Sequence, residues 1–249
     1  MKIGVADWGL FVWNGGLYDY EDRIEMVRGL GFDGLERIYP KSPEDALNKV
    51  AFLKKRGMSF ATCNNSDHEL AIKWTAALGG EYIWAEGMNR NSFEIYLRQV
   101  DKLTRAAEKY GVKVAVHNHL GSLAETQEQV ETVLRECPKV NLLFDTGHLA
   151  VAGGDVRYIA DKYYDRIVSY HLKGWQTSDK PDDPIWSNRG YFCGLAQGDF
   201  FIDNEYVFKN AVRKNFGGWV MIEHDTHKRE PELDLAESMA VLRKWQSEV

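Results

Sequence analysis

Seven histidines punctuate the chain, at positions 68, 117, 119, 148, 171, 224 and 227. Five stand at or just past the end of a short apolar run: His117 and His119 in VAVHNH, His148 in LLFDTGH, His171 in VSYHLK and His224 in VMIEH. Acidic residues keep them company, Asp145 in the second of these segments and Glu223 in the last. A charged or imidazole side chain at the end of a buried strand is costly without a partner. One such histidine would ordinarily be a satisfied structural residue. Four strand ends in succession with metal-ligand residue types point instead to a shared site. Two carboxylates and two imidazoles suit Mn²⁺, Co²⁺, Fe²⁺ or Zn²⁺, whereas Mg²⁺ prefers more oxygens. The expectation is one divalent ion held by Asp145, His171, Glu223 and a strand-five histidine, His117 as first choice and His119 as the alternative.

Spacing sorts the neighbours. His117 and His119 are two apart on a strand, so both point to one side. His148, three residues after Asp145, fits a ligand, a proton carrier or a holder of the other ligands. Lys173, two after His171, fits a group that polarises a carbonyl or steadies an oxyanion, or a snorkelling surface lysine. His224 should point away from Glu223 by alternation, and His68 and His227 fall in or near loops. Glu36 ends the second run, Asn64 and Asn65 follow the third, and Glu86 follows the fourth. With Trp8, Trp13, Trp175 and Trp186 they could line a pocket for a polyhydroxylated substrate, although tryptophans also serve packing.

The elements that position these residues repeat regularly. Eight β-rich runs (KIGVA, GLERI, SFATC, YIWA, VKVAV, NLLF, RIVSYHL and WVMIE) alternate with stretches of helical periodicity such as Leu97, Val100, Leu103 and Ala107. A glycine at the end of a helix takes the left-handed cap, and Gly31, Gly57, Gly79, Gly111 and Gly217 sit where such caps are needed. Ser42-Pro43 reads as an N-cap followed by proline at the first helical position. The sixth helix, near GGDVRYIADKYY, is the least periodic. Nearly continuous apolar strands suit a parallel sheet buried on both faces. Eight βα units in 249 residues predict a single α/β domain over residues 1–249, a (β/α)₈ TIM barrel whose strand ends meet at one mouth. An open doubly wound sheet is the alternative, but the first turn, ADWGLFVWNGG, lacks the Gly-rich fingerprint. One long irregular stretch, about 174–203, reads as a packed lid because of its aromatics.

Composition excludes several classes. The 31 basic and 37 acidic residues give a net charge of −6, so a nucleic-acid partner is not expected. No apolar run reaches the roughly 20 residues of a membrane span, and the start MKIGVADWGLFVWNGG lacks signal-peptide features. Three widely spaced cysteines fit a reducing compartment. A cytoplasmic protein with a small-molecule partner is expected, and exposed tryptophans make a homo-oligomer plausible.

Taken together, LLFDTGHLAVAGGD, HNHLGSLAETQEQVETVL, VSYHLKG and GGWVMIEHD resemble the xylose-isomerase-like TIM barrels, over about residues 30 to 245. That superfamily holds sugar isomerases and epimerases, inosose dehydratase and apurinic endonucleases. The resemblance implies one metal, Mn²⁺ as first choice, on a strand-five glutamate and on Asp145, His171 and Glu223. Here His117-Asn118-His119 stands where the glutamate is usual, which departs from the two-glutamate epimerase pattern. The H-x-H segment followed by GSLAET is more like the inosose dehydratase branch, with Glu125 read as the start of the fifth helix. The implied activity is an isomerase, epimerase or dehydratase acting on a keto-sugar or keto-cyclitol through an enediolate. Its base would be Glu223, His119 or His148. An apurinic-endonuclease-like phosphodiesterase is disfavoured because no Asp-x-His follows His171. A non-catalytic or subunit-type sugar-binding barrel is the remaining alternative, since fold alone does not dictate activity.

Overall fold

The computed structural model describes residues 1–10, 19–225 and 228–249. Eight of its strands are the anticipated runs: β1 (Lys2–Val5), β2 (Gly34–Ile38), β3 (Ser59–Cys63), β4 (Tyr82–Trp84), β5 (Lys113–His117), β6 (Asn141–Asp145), β7 (Ile167–Leu172) and, after a two-stranded insertion, β10 (Trp219–Ile222). They hydrogen-bond in the order β3-β2-β1-β10-β7-β6-β5-β4, every pair parallel. The sheet ends, β3 and β4, meet where the Glu81 N–H donates to the Ala61 carbonyl at 2.7 Å. The ring is therefore a nearly closed (β/α)₈ barrel.

Size complementarity closes it. Tyr82, Trp219 and Met221 fill the interior against Ala6, Ala61, Ala115, Leu143 and Val168. A Cβ on Gly4 would lie 2.7 Å from the Met221 sulfur, so the large residues fit only because their neighbours are small. A larger apolar layer, with Val116, Phe144, Tyr170 and Ile222 on the strand side, packs outward against the helices. Inward and outward residues thus alternate as the strand period requires. Continuing the inward set by two residues along each strand turns Ala115, Leu143, Ser169 and Met221 into His117, Asp145, His171 and Glu223.

The helices between follow their caps. They are α1 (Tyr20–Gly29), α2 (Pro43–Lys55), α3 (His68–Leu78), α4 (Phe93–Glu108) and α5 (Gln127–Glu136). The Ser42 hydroxyl accepts from the Asp45 N–H at the head of α2, and Thr126 and Gln129 form a reciprocal capping box on α5. A short helix that was not anticipated, α6 (Thr146–Val151), precedes the weakly periodic sixth, which is α7 (Val156–Lys162). The stretch 174–203 is less irregular than its sequence suggests. It contains an antiparallel hairpin of β8 (Gly174–Thr177) and β9 (Gly190–Cys193), joined through the single-turn α8 (Trp186–Arg189). Four-residue strands are too short for alternation to reveal them. Helices α9 (Asn204–Arg213) and α10 (Pro231–Ser247) complete the ring. No described helix is long and apolar enough to cross a membrane.

Candidate metal centre and active site

One donor atom each from His117, Asp145, His171 and Glu223 lie within 4.8 Å of one another at the C-terminal mouth of the barrel. His117 Nε2 is 3.3 Å from Asp145 Oδ2, and His171 Nδ1 is 2.9 Å from Glu223 Oε2 and 3.7 Å from Asp145 Oδ2. Donors this close can share one ion at metal–ligand bonds of about 2.0–2.2 Å. Asp145 is held from two sides. Its own Oδ1 caps α6 by accepting from the His148 N–H at 2.7 Å. Asn118, between the two strand-five histidines, accepts from the Asp145 N–H and donates to its carbonyl, each at 2.8 Å.

Electrostatics prepare the ligands. Burial works against a charge on His171, but Glu36 and Glu223 outweigh it and raise its pKa to about 10. Burial pushes His117 down to about 4, so it stands neutral. Burial opposes ionisation of Asp145 and Glu223, yet Lys173 and the histidines hold both carboxyls well below their ordinary range. In the metal-free protein the His171 proton contributes stability below the ordinary histidine pKa, and that contribution is lost as pH rises through about 10. An ion on Nδ1 must displace that proton. Mn²⁺ binding at pH 7 should therefore release about one proton and tighten about tenfold per pH unit. Calorimetry in buffers of different ionisation enthalpy checks this; proton uptake, or pH-independent affinity, would contradict it.

Two residues expected to face substrate lie deeper. Glu36 is fully buried beneath the ligands, and its Oε1 accepts from Tyr82 Oη at 2.7 Å, Trp84 Nε1 at 3.2 Å and His171 Nε2 at 3.0 Å. It orients the His171 ring rather than touching the cavity, as carboxylates behind metal-bound histidines do. Lys173 is also fully buried, with its ammonium on Asp145 Oδ2 at 2.8 Å, on Glu223 Oε2, and on Asp225 Oδ2 at 3.2 Å. It is neither a surface lysine nor a free carbonyl polariser, because three carboxylates already claim its donors. Asp225 escaped sequence reasoning, although it lies two residues past Glu223 and the rule that grouped His117 with His119 points it to the same side. Burial raises its carboxyl to about 6 despite Lys173.

The His119 and His148 rings lie tilted against each other, with centroids 3.8 Å apart and planes at 39°. Both are tied to the main chain of Leu120, in opposite senses. His119 Nδ1 lies 2.6 Å from the Leu120 carbonyl, so that nitrogen carries the proton and Nε2 is left as an acceptor. The Leu120 N–H donates to His148 Nδ1 at 3.3 Å, so the His148 proton resides on Nε2. Burial keeps His148 neutral by pushing its pKa well below the ordinary value, against the pull of Asp145. His148 Nε2 is buried without a hydrogen-bond partner, 4.0 Å from Asp145 Oδ2 and 3.9 Å from Asp225 Oδ2.

A cavity of about 530 Å³ opens beside the ligands, with His117, His119, Trp84 and Glu86 on its wall and Trp186 over it. Trp84 meets His117 edge-on at 4.8 Å. Glu86 faces Arg37, whose guanidinium lies 3.7 Å away and also pairs with Asp7. Trp175 was expected here and is not: it is 2% exposed, packed on Phe192, Leu120 and Ile202 inside the hairpin. Trp186 takes the lining role. Truncating Trp175 to Ala should therefore cost about 3–5 kcal/mol, whereas W186A should leave the melting temperature nearly unchanged. Thermal unfolding of both variants separates them; equal losses would contradict the assignment. Trp8 is largely exposed and, like Asn64, lies off the described cavity wall. Asn65 accepts from the Asp67 N–H and His68 bonds the Glu86 carbonyl. Glu125 accepts from the Gly121 N–H ahead of α5. His224 turns away from the mouth toward Ser238 and Asp234 of α10. Trp13 and His227 lie outside the described residues.

A parallel eightfold barrel with a two-histidine, two-carboxylate cluster at its C-terminal mouth places the chain among TIM barrels with a candidate metal centre on that face. The chain belongs to the xylose isomerase-like TIM barrel family, whose sequence profile matches residues 24–245. Among its relatives, inosose dehydratase of Clostridium beijerinckii is 26% identical over 194 residues, covering 74% of this chain and 63% of that protein. Inosose dehydratase of Mesomycoplasma hyopneumoniae is 24% identical over 275 aligned positions, covering 92% and 90%. The chain thus spans under two thirds of the Clostridium protein's length. Among solved structures, the IOLI protein with a binding zinc atom superposes with a TM-score of 0.70 at 17% identity, over 100% of this chain and 99% of that one.

Proposed function

We propose that the protein is a divalent-metal-dependent lyase of the dehydratase type, acting on a keto-sugar or keto-cyclitol through an enediolate. The observation that carries this is the opposite tautomers that Leu120 imposes on His119 and His148. His117, Asp145, His171 and Glu223 would hold the ion, with Mn²⁺ as first choice and the zinc of the IOLI protein as precedent for a divalent cation. When bound, the ion would act as a Lewis acid on the ketone oxygen and a neighbouring hydroxyl, acidifying the α C–H bond.

The protein's own groups do the rest. His119 Nε2, an acceptor at the cavity edge, takes the α-proton. His148 Nε2–H, aimed between Asp145 and Asp225, gives its proton to the departing β-hydroxyl as the C–O bond breaks. One water leaves, and the enol that remains tautomerises to a dione. His119 and His148 are ring-to-ring neighbours, which suits removal and donation on one side of the substrate. An epimerase needs proton carriers on both faces, and His117 in place of the usual glutamate removes one. Glu36, Lys173 and Asp225 set the charge and orientation of the ligands without touching substrate. The partner is a small carbohydrate rather than a nucleic acid, and the setting is cytoplasmic.

Incubating the Mn²⁺-loaded protein with keto-cyclitols and ketoses in D₂O tests the reading. Exchange at the α-carbon together with stoichiometric loss of water supports it. Exchange without water loss makes the protein an isomerase or epimerase. No α-exchange on any ketone, with metal bound, sinks the enediolate.

A further inference from the structure

A second cavity, of about 260 Å³, lies on the outer side of β2. Glu36 points into the barrel and bonds His171, so alternation turns Leu35 and Arg37 outward, toward the helices. Tyr20 and Arg23 of α1, three apart and so on one face, line the cavity with them. Lys49 of α2 lines it as well, and Tyr39 and Lys41, just past the strand, complete the wall. Among the described residues, none of the four metal-ligand residues lies on it.

The charge on this wall is one-sided. Arg23, Arg37, Lys41 and Lys49 are cationic, and Asp7 is the one acidic residue among those described there. Asp7 is already engaged: one of its oxygens accepts from the Arg37 N–H at 3.2 Å and from Arg37 Nε at 3.1 Å. Lys49 also reaches Asp45, four residues back on α2. The segment 11–18, FVWNGGLY, holds no charged residue, so its sequence supplies no further acid. Cationic groups gathered in a cleft raise the local potential and draw anions, here in a chain of net charge −6.

A hydroxyl completes the set. The Tyr20 Oη atom is buried without a hydrogen-bond partner, and Lys49 Nζ lies 5.1 Å from the centre of the same ring. Burial and the Asp7 charge raise the Tyr20 pKa above the ordinary tyrosine value, so the hydroxyl keeps its proton and can donate it. A buried donor left unpaired is costly, and an acceptor entering the cavity removes that cost. Orthophosphate has five heavy atoms and, at a generous 30 Å³ each, needs about 150 Å³, whereas a twelve-atom ketose at about 360 Å³ is too large for this space. We infer that this cavity is a binding site for one inorganic phosphate ion, held by Tyr20, Arg23, Lys41 and Lys49. Arg37 ties it to the metal side of the barrel. Its guanidinium lies 4.6 Å from the Trp84 ring centroid and 3.7 Å from Glu86, both on the wall of the larger cavity. The site stands apart from the metal centre, and the keto-sugar reading can fail without it.

Titration calorimetry of inorganic phosphate into the full chain, kept free of metal so that the anion cannot ligate Mn²⁺, tests this. One phosphate per chain should bind and saturate below about 10 mM. Tyr20→Phe removes only a hydroxyl that bonds nothing in the free protein, so it should leave the phosphate-free melting temperature unchanged and weaken phosphate binding about fivefold or more. Lys41→Gln, at an exposed position, should weaken it by a similar factor. Lys113→Gln, an exposed lysine at the opposite end of the barrel where β5 begins, should leave it unchanged. Absence of saturable binding, an affinity that either Tyr20→Phe or Lys41→Gln leaves intact, or an equal loss in Lys113→Gln overturns the site.

Discussion

Replacing His119 by Gln should slow α-proton exchange by about 10²–10⁴-fold, the range that a positioned general base contributes, while Mn²⁺ affinity stays within about twofold. The pairing of those two outcomes is the point. His119 lies outside the four-donor cluster, so its loss leaves the ion's ligands intact. Its Nδ1 is committed to the Leu120 carbonyl and its Nε2 is the basic atom. Glutamine can repeat the hydrogen bond to Leu120 but has no basic nitrogen. Asp145→Ala supplies the contrast: it removes a ligand and the cap of α6 together, and should abolish metal binding and exchange alike. Elemental analysis and NMR exchange on both variants decide the case. If His119→Gln exchanges at the wild-type rate, the base is Glu223 and the histidine pair has another use.

Lys173→Met should lower the melting temperature of the metal-free protein by roughly 10 °C, and added Mn²⁺ should recover most of that loss. The lysine is fully buried and faces Asp145, Glu223 and Asp225. Methionine keeps the stem volume but leaves those carboxylates in mutual repulsion. Removing one partner from a buried charge cluster costs about 3–5 kcal/mol, and at this chain length each kcal/mol is worth about 2–4 °C. A divalent ion supplies the missing positive charge, so stabilisation by Mn²⁺ should be larger in the variant than in the wild type. Melting curves with chelator and with Mn²⁺ provide the check. An unchanged metal-free melting temperature would mean that the ammonium is not what offsets the carboxylate charge.

The fold was legible because eight β-rich runs and their glycine stops recur along the chain, and the period of two carries His117, Asp145, His171 and Glu223 to one face. What escaped has physical causes. Asp225 falls under the same period-two rule but follows a strand only four residues long. Trp175 and Trp186 are alike by residue type; only the hairpin, closed by pairings such as Trp175 with Phe192, decides which one turns inward. Glu36 reads as a pocket carboxylate until the distance from β2 to His171 is known, since 135 residues separate the two. The sequence alone assigned Asn118 no role, yet its amide pairs with the backbone of Asp145 at the end of β6. Contacts across the barrel leave no local trace in the chain.

Leu120 joins two levels of the molecule. Its side chain is 2% exposed, wedged with Trp175 and Phe192 of the hairpin and with Ile202 beyond it, and its peptide groups grip two imidazoles. In the proposed reaction the direction of proton flow would thereby be written in main chain, where exchange of one apolar side chain for another leaves no mark. It also hangs on packing some way from the chemistry. On the mechanism proposed above, anything that loosens the hairpin loosens the peptide that would tell one histidine to take a proton and its neighbour to give one.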